Sequence, residues 1–435
     1  LKNKNFILKN VKYFDVETNR ILFTKKLFIK DGRISFKSPS NITLYNSIDC
    51  KDYTLFPSFI QSHTHICQNL IKGYAEEMQL YEWLKKVVLP YEKNLKKETL
   101  SLSCRLSLYE LIDSGTTTIV DMGTFENQEI IFEEIENSKI TGYSGNVLMD
   151  RSFGGVKTGL KHYEEYSRWL IELVKKYKNT KYILCPRFVP GLTEKGIKVL
   201  LKLRDEYSLI VHSHSSETIS ENLFTQKEYN LSNIEFLEKN GILDGKTILA
   251  HCIHLSENDR KILKRKNVNV AHCPSANGKL FSGIMDLTGL YREGINVGIG
   301  SDGPPCNNNT DQIFEMRLAK HFQNIIYGKN SIKANEIFKM ATVNGAKTLG
   351  IEKETGSIKE NFFADFILVE NDINVSSFDK DPSSGFIFSV YPENIKFVFS
   401  KGIPLKFNGK VLNYDKTELV KEKKKILKYL FSNRL

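Results

Sequence analysis

Phe59-Ile60-Gln61-Ser62-His63-Thr64-His65 decides the fold: it reads as a short apolar strand that ends in histidines at i and i+2. Successive strand side chains point to opposite faces, so this spacing puts both imidazoles on one side. Two neutral imidazoles on a rigid strand are half of a site for a borderline cation such as Zn²⁺. A His-x-His pair alone is ordinarily a pair of surface or core histidines. Its meaning here comes from the chain around it.

From Pro57 onward, strand-like and helix-like patterns alternate at spacings of roughly 30–45 residues, the rhythm of a parallel sheet with crossover helices. Candidate strands end at His65, Asp121, Met149, Arg187, His214, His251, His272 and Asp302, with helical patterns such as Leu102 to Ile112 and Ile130 to Glu136 between them. Eight strands with intervening helices predict an α/β fold, a (β/α)₈ TIM barrel. Upstream, Phe6-Ile7-Leu8, Arg20-Ile21-Leu22-Phe23 and Leu27-Phe28-Ile29-Lys30 read as short strands, and Asp31-Gly32 as a hairpin turn into Arg33-Ile34-Ser35-Phe36. Downstream, Gly356-Ser357-Ile358, Ala364 to Val369 and Ile395 to Phe399 are β-like again. The expected organisation is residues 1–55 as one part of a small β-sandwich, 56–354 as the barrel, and 355–435 as the rest of the sandwich plus a C-terminal helix. No long linker, low-complexity tract or fixed-period repeat interrupts it.

The chain has 435 residues, 41% hydrophobic and 26% charged, an ordinary globular composition. No apolar run reaches the length of a membrane span, and Leu1 to Asn5 lacks the apolar core of a signal peptide. The opening residue is Leu, so an initiator methionine is expected to precede it. The seven cysteines, at positions 50, 67, 104, 185, 252, 273 and 306, are odd in number and never form Cys-x-x-Cys. That pattern predicts reduced thiols in a cytoplasmic protein. The net charge of +11 is spread along the chain. Its densest run, Lys416 to Lys428, alternates with Leu, Val and Ile like a solvated amphipathic helix, so neither a nucleic acid nor a membrane is an expected partner.

In barrels of this kind the chemistry sits at the carboxyl ends of the strands. Strand five, Leu209-Ile210-Val211-His212-Ser213-His214, carries a second His-x-His, with His214 nearer the end and His212 packed or supporting below it. Glu217 follows, placed to lean over the mouth. Strands six and seven end in His251 and His272, and strand eight, Val297-Gly298-Ile299-Gly300-Ser301-Asp302, ends in a carboxylate. A lone histidine on an apolar strand is usually a satisfied core residue, and an Asp after Gly-Ser is usually a turn. Their joint occurrence at five strand ends points to a metal site. Three histidines and one carboxylate leave a position for water, the open arrangement of a catalytic ion. Asp302 can both hold metal and take the water's proton, Glu217 can deliver a proton to a ring nitrogen, and His251 can hydrogen-bond the developing oxyanion or the water. That is hydrolysis at an electrophilic C–N centre.

With these residues in view, the chain from Pro57 to about residue 370 resembles the metal-dependent amidohydrolase superfamily. It is most similar to the branch of 5′-methylthioadenosine/S-adenosylhomocysteine and 5′-deoxyadenosine deaminases, guanine deaminases and triazine hydrolases. The resemblance rests on His63-Thr64-His65, Gly73-Tyr74-Ala75 through Glu82-Trp83-Leu84 to Leu89-Pro90-Tyr91-Glu92, and Gly115-Thr116-Thr117-Thr118. It continues in His214-Ser215-Ser216-Glu217, Ala250-His251-Cys252, His272-Cys273-Pro274-Ser275 and Ser301-Asp302-Gly303. It implies that His63, His65, His214 and Asp302 bind one divalent ion, Zn²⁺ or alternatively Fe²⁺, that Glu217, His251 and Asp302 are catalytic, and that Gln68, Trp83, Glu92, Arg187 and His272 contact substrate. No lysine ends the fourth strand, so the two-metal variant with a carboxylated lysine is not expected.

The departures bear on substrate. Pro57-Ser58 stands where Pro-Gly is usual, a change of turn. In Cys185-Pro186-Arg187-Phe188, methylthioadenosine deaminases place a histidine after the proline, whereas Arg187 resembles the guanine-deaminase Pro-Arg-Phe. Gln68 looks like the guanine-binding glutamine. Conversely, Glu92 matches the glutamate that nucleoside deaminases use on ribose hydroxyls, and the loop from Asp302 to Asn308 resembles the nucleoside branch. The expected function is hydrolytic deamination of a small purine-type molecule, with 5′-modified adenosines favoured over guanine, and over a triazine or pterin aminohydrolase or chlorohydrolase activity. The expected assembly is a homodimer. A catalytically inactive barrel used as a binding module would have lost ligands, yet every position is filled. Gly298-Ile299-Gly300-Ser301-Asp302-Gly303 is literally G-x-G-x-x-G after a strand, but Pro304-Pro305 and three asparagines follow where a dinucleotide site needs a helix. The H-x-E with P-C-x-x-C signature of the other zinc deaminases is absent.

Overall fold

The computed structural model describes residues 5–41, 45–372, 375 and 378–431. The first five strands are β1 (Phe6–Asp15), β2 (Arg20–Lys30), β3 (Arg33–Ser35), β4 (Asn46–Asp49) and β5 (Tyr53–Pro57). β2 is one continuous strand where two were expected, because its pairing with β1 runs unbroken from Phe6↔Ile29 to Asp15↔Arg20. Asp31 and Gly32 both have positive φ, 51° and 81°, the conformation that lets a two-residue turn join β2 to β3.

Eight short parallel staves follow. They are β6 (Phe59–Thr64), β7 (Thr116–Asp121), β8 (Thr141–Ser144) continued by β9 (Val147–Leu148), β10 (Thr180–Tyr182) continued by β11 (Cys185–Pro186), β12 (Val211–Ser215), β13 (Thr247–His251), β14 (Asn269–His272) and β15 (Val297–Ile299). β6 and β7 are buried at every position, as strands are when helices cover one face and a packed interior the other. The third and fourth staves are broken where continuous strands were expected. Gly145 comes so close to Ile183 that a Cβ on it would stand 1.8 Å from the Ile183 carbonyl oxygen, and the ladder between the two staves is interrupted there before it resumes in the same register. Leu184 then bridges to Val211, which carries the sheet on to β12.

The barrel closes between β15 and β6. The Asp302 amide donates to the His63 carbonyl (3.2 Å), and Thr64 and Asp302 form an isolated parallel bridge. A Cβ on Gly300 would lie 2.5 Å from the His63 carbonyl oxygen, and one on Gly298 would lie 2.1 Å from Ser62 Oγ. These glycines therefore serve the closure of the barrel, and the single helical turn Pro304–Asn307 that follows is too short for a dinucleotide site. β15 ends at Ile299, so Asp302 stands beyond the strand, in a loop at φ 61°.

The last strands are β16 (Phe366–Glu370), β17 (Ile395–Ser400), β18 (Ile403–Phe407) and β19 (Lys410–Val411). β16 pairs antiparallel with β5 from Phe366↔Pro57 to Glu370↔Tyr53, which joins both ends of the chain in one nine-stranded sheet. The sheet curls onto its own core, so that Phe6 of β1 meets Phe399 of β17 edge-on at 5.1 Å. Gly356-Ser357-Ile358, expected as a strand, is a bend: Gly356 has φ 84°, and Ile358 fills the sheet's core. Phe56, Phe59, Phe338 and Phe386 pack together where sheet and barrel meet, with Phe56 and Phe386 centroids 4.6 Å apart. The helix Lys416–Phe431 buries Leu419 against Leu102 and Leu106 of the helix Lys97–Asp113, and Arg105 grips Glu422 with two bonds of 3.2 and 2.6 Å. Its Lys424, Lys425 and Lys428 are exposed, as the charge pattern predicts. All seven cysteines are free and buried. Among the described residues, no helix is long and apolar enough to cross a membrane.

Candidate active site

The site is built from the carboxyl ends of β6, β12, β13 and β14 and the loop after β15. One ligand atom each from His63, His65, His214 and Asp302 lies within 4.8 Å of the others. His63 Nε2 is 3.1 Å and His65 Nε2 3.4 Å from Asp302 Oδ1. His65 Nε2 and His214 Nε2 face each other at 3.1 Å. His214 Nδ1 lies 2.6 Å from the Arg187 carbonyl oxygen, which can only accept, so that nitrogen carries the proton and Nε2 is left as a lone pair aimed into the cluster. Burial pulls the pKa values of His63, His65 and His214 down, which keeps the rings in the neutral form that ligates. Burial pushes Asp302 the other way, but its bond to His63 and the charges of the surrounding histidines hold it well below the usual carboxylate range. Three neutral imidazoles, one carboxylate and a lone pair aimed into their midst form a donor set that fits a divalent cation of the zinc type.

Around this cluster stands a layer of orienting partners. His212, expected to support His214, instead places Nε2 2.7 Å from His63 Nδ1. Asp121, at the end of β7, accepts from the Ile66 amide (2.8 Å), the Gly123 amide (3.0 Å) and Ser144 Oγ (2.6 Å), which fixes the turn that leaves β6. His251 Nδ1 lies 2.8 Å from Asn277 Oδ1, so Nδ1 donates there and Nε2 faces Glu217 Oε2 at 3.5 Å and Asp302 Oδ2 at 4.0 Å. Burial lowers the pKa of His251, yet the charges of Glu217 and Asp302 leave it above its ordinary value. Glu217 accepts from Ser282 Oγ at 3.0 Å, and burial raises its pKa. His251 and Asp302 both sit at positive φ, 72° and 61°, an uncommon backbone state that functional sites often hold.

A cavity of about 410 Å³ opens over the cluster. His65, His214, Glu217, His251 and Asp302 form its polar end, and Leu80, Trp83, Leu84, Phe188 and Leu280 form apolar walls, with Arg187 at the side. Of the residues expected to contact substrate, Trp83 and Arg187 line this cavity. Gln68 and Glu92 stand behind Arg187: Glu92 Oε2 accepts from Arg187 Nη1 at 2.6 Å and Oε1 from Gln68 Nε2 at 2.7 Å. Both Glu92 oxygens are therefore engaged within the protein. His272 does not line the cavity; it is buried, neither ring nitrogen has a partner among the described residues, and burial lowers its pKa to about 3.

Glu221, Asn277 and Ser282 belong to the site without having stood out in the sequence. Glu221 lines the cavity and accepts the Glu217 amide on Oε2 at 2.9 Å, while burial raises its pKa to about 7. In sequence it is only the acid in the first turn of the helix Ile219–Tyr229, which Thr218 caps. Asn277 and Ser282 follow a strand end by several residues, and nothing local distinguishes them from loop polar residues.

Comparison with known proteins matches residues 54–412 to the model of the amidohydrolase family. A 5-methylthioadenosine/S-adenosylhomocysteine deaminase of Aquifex aeolicus is 32% identical over 424 residues, 95% of this chain and 96% of its own length. A 5′-deoxyadenosine deaminase of Methanobrevibacter smithii is 32% identical over 396 residues, 88% of each. Among solved structures, a guanine deaminase from C. acetobutylicum with guanine in its active site superposes with a TM-score of 0.84 at 26% identity, covering 92% of this chain and 99% of that one. A zinc-bound adenosine deaminase from Xanthomonas campestris shares the fold, with a TM-score of 0.89 at 21% identity over 97% of both chains.

Proposed function

The chain belongs to the amidohydrolase family and is a hydrolytic deaminase, and we propose that it uses one Zn²⁺ to replace the amino group of 5′-modified adenosines by a carbonyl oxygen, releasing ammonia. The observation that carries this reading is the convergence of three neutral imidazoles and one ionised carboxylate beside Glu217 and His251, at the closed end of an apolar cavity. The names of the 32% identical relatives support adenosine-type substrates.

His63, His65, His214 and Asp302 would hold the ion. When bound, it supplies a water acidic enough to lose a proton at neutral pH. Asp302, whose Oδ2 lies 4.0 Å from His251 Nε2, would take that proton. Glu217, whose pKa burial raises and whose carboxyl Ser282 steadies, would give a proton to the ring nitrogen beside the carbon under attack, so the displaced electron pair has a proton to meet. His251 Nε2, which has no hydrogen-bond partner among the described residues, would donate to the entering oxygen. The proton held by Asp302 would then leave on the amino nitrogen, and the remaining hydroxyl proton would pass to Glu217 as the C–N bond breaks and the carbonyl forms, so that water plus the amine becomes carbonyl plus ammonia with both carboxyl groups restored. Leu80, Trp83, Leu84 and Leu280 exclude bulk water and sandwich an aromatic ring.

A second reading, guanine deamination, is favoured by one feature: Arg187 is a buried donor, fixed by Glu92 and Gln68, that suits an oxo group on the ring. The test is ammonia release from adenosine, 5′-deoxyadenosine, methylthioadenosine, S-adenosylhomocysteine, guanine and pterins at equal concentration. The reading expects the 5′-modified adenosines to lead; turnover of guanine alone replaces it with the second.

A further inference from the structure

Beside the catalytic cavity lies an open groove of about 650 Å³ that the reaction steps leave unused. Its walls come from the segments that follow the carboxyl ends of β6, β12, β13 and β14. Leu80 and Leu280 line both the cavity and the groove, and Ser282, whose hydroxyl holds Glu217, lines the groove from the other side. The groove is therefore continuous with the site. Its remaining surface includes Tyr81, Ile219 and Phe281, and no Asp, Glu, Lys or Arg lines it. Its one histidine, His254, has Nε2 turned to the Ser282 carbonyl at 2.8 Å. Ile219 and Phe281 are each 62% exposed. Phe281 also sits at φ 57°, a backbone state that a bulky residue rarely adopts.

Resting on the nucleoside reading above, we propose that this groove is the subsite for the group carried on the 5′ carbon, and that it takes an uncharged apolar group in preference to an amino-acid tail. A base that reaches the metal cluster must leave its sugar toward the mouth, and the 5′ group is the part that projects furthest from the reacting carbon. The groove gives that group aliphatic and aromatic surface but no charged partner. A thioether chain would exchange water for Ile219, Leu280 and Phe281. An ammonium and a carboxylate would lose hydration there and meet only neutral polar groups, Gln79, Thr218 and Ser220, with no opposite charge to pair with.

The test measures kcat/KM of the metal-loaded enzyme for 5′-deoxyadenosine, methylthioadenosine, butylthioadenosine and S-adenosylhomocysteine. The expected order rises from 5′-deoxyadenosine through methylthio to butylthio, by up to about fourfold per buried methylene, with S-adenosylhomocysteine about tenfold or more below butylthio. Phe281→Ala and Ile219→Asp, each checked for wild-type metal content and melting temperature, should lower the butylthio to 5′-deoxyadenosine ratio about tenfold. A flat series, an S-adenosylhomocysteine rate equal to butylthio, or variants that lower every nucleoside by one factor would overturn the groove assignment while leaving the nucleoside reading in place. Turnover of guanine with none of the nucleosides would overturn that reading itself.

Discussion

Burial raises the pKa of Glu217, which favours the acid role proposed for it, and Ser282 and the Glu221 carboxylate fix where it points. Glu217→Gln keeps the shape and the Ser282 contact but has no proton of the right acidity to give. It should retain the bound metal and the melting temperature while kcat falls by about 10²–10⁴; metal analysis beside ammonia release reads both. Arg187 poses a different problem. Its guanidinium and the Glu92 carboxylate are 4% and 0% exposed, so removing either partner strands the other in a medium that cannot solvate it. Glu92→Ala should cost about 3–5 kcal/mol of stability and Glu92→Gln clearly less, as measured by denaturant unfolding. The ligands were legible because strand alternation turns a two-residue spacing into a shared face. Glu221 and Ser282 were not, since a helix's first-turn acid and a loop serine acquire their roles only when β12 and β14 are set on either side of β13. The partner of His212 was missed for the same reason: from sequence it belongs under its neighbour His214, but the barrel turns it toward His63.

The seam between β15 and β6 is the element on which the ligand set depends, because it brings Asp302 to the histidines of β6. Gly300 allows it: a methyl group there would press within 2.5 Å of the His63 carbonyl oxygen and 2.6 Å of its amide nitrogen. Gly300→Ala should therefore part the two strands and weaken metal binding by at least tenfold, which a metal titration of the apo protein reads directly. Sequence suggested a phosphate loop at this place and rejected it on the prolines; the positive reason for the glycines needed the neighbouring strand. A second element carries a pH effect. In the helix Gln312–Tyr327, Glu315 is fully buried against Ser275 and Asn307, and burial raises its pKa to about 8 from an ordinary 4.5. The folded protein therefore keeps a proton that the unfolded chain releases above pH 4.5, so this group's contribution weakens as pH rises from about 4.5 to 8. Glu315→Gln, which cannot ionise, should lose less melting temperature than the wild type between pH 5 and pH 8.5. Equal slopes for the two proteins would show that Glu315 ionises without strain in the fold.

On the scale of the whole molecule, the four proposed ligands come from the first and fifth staves of the barrel and the loop after the eighth, which lie far apart in sequence. A cation bound there acts as a clamp across the barrel as well as a reagent, because binding to the folded state alone adds stability by mass action. The rhythm of alternating strands and helices foretold this barrel. The joining of the two terminal segments into one β-domain was expected as well; what sequence could not give is that β5 and β16 are the strands that pair, because that pairing spans some three hundred residues and rests on register. Sheet and barrel share the aromatic cluster of Phe56, Phe59, Phe338 and Phe386, but the sheet holds no ligand. Stripping the ion should therefore not loosen the molecule evenly. At free metal about a thousandfold above Kd, saturation contributes about 4 kcal/mol, which for a chain of this length is a shift in melting temperature of roughly 4 °C. Chelation should lower the melting temperature by that order and Zn²⁺ should restore it. Amide exchange should rise first around His63–His65, His214 and Asp302, while β1 and β2 keep their protection. Uniform loss of protection in sheet and barrel would mean that the two unfold as one unit, and that the clamp acts on the whole chain through the phenylalanine cluster.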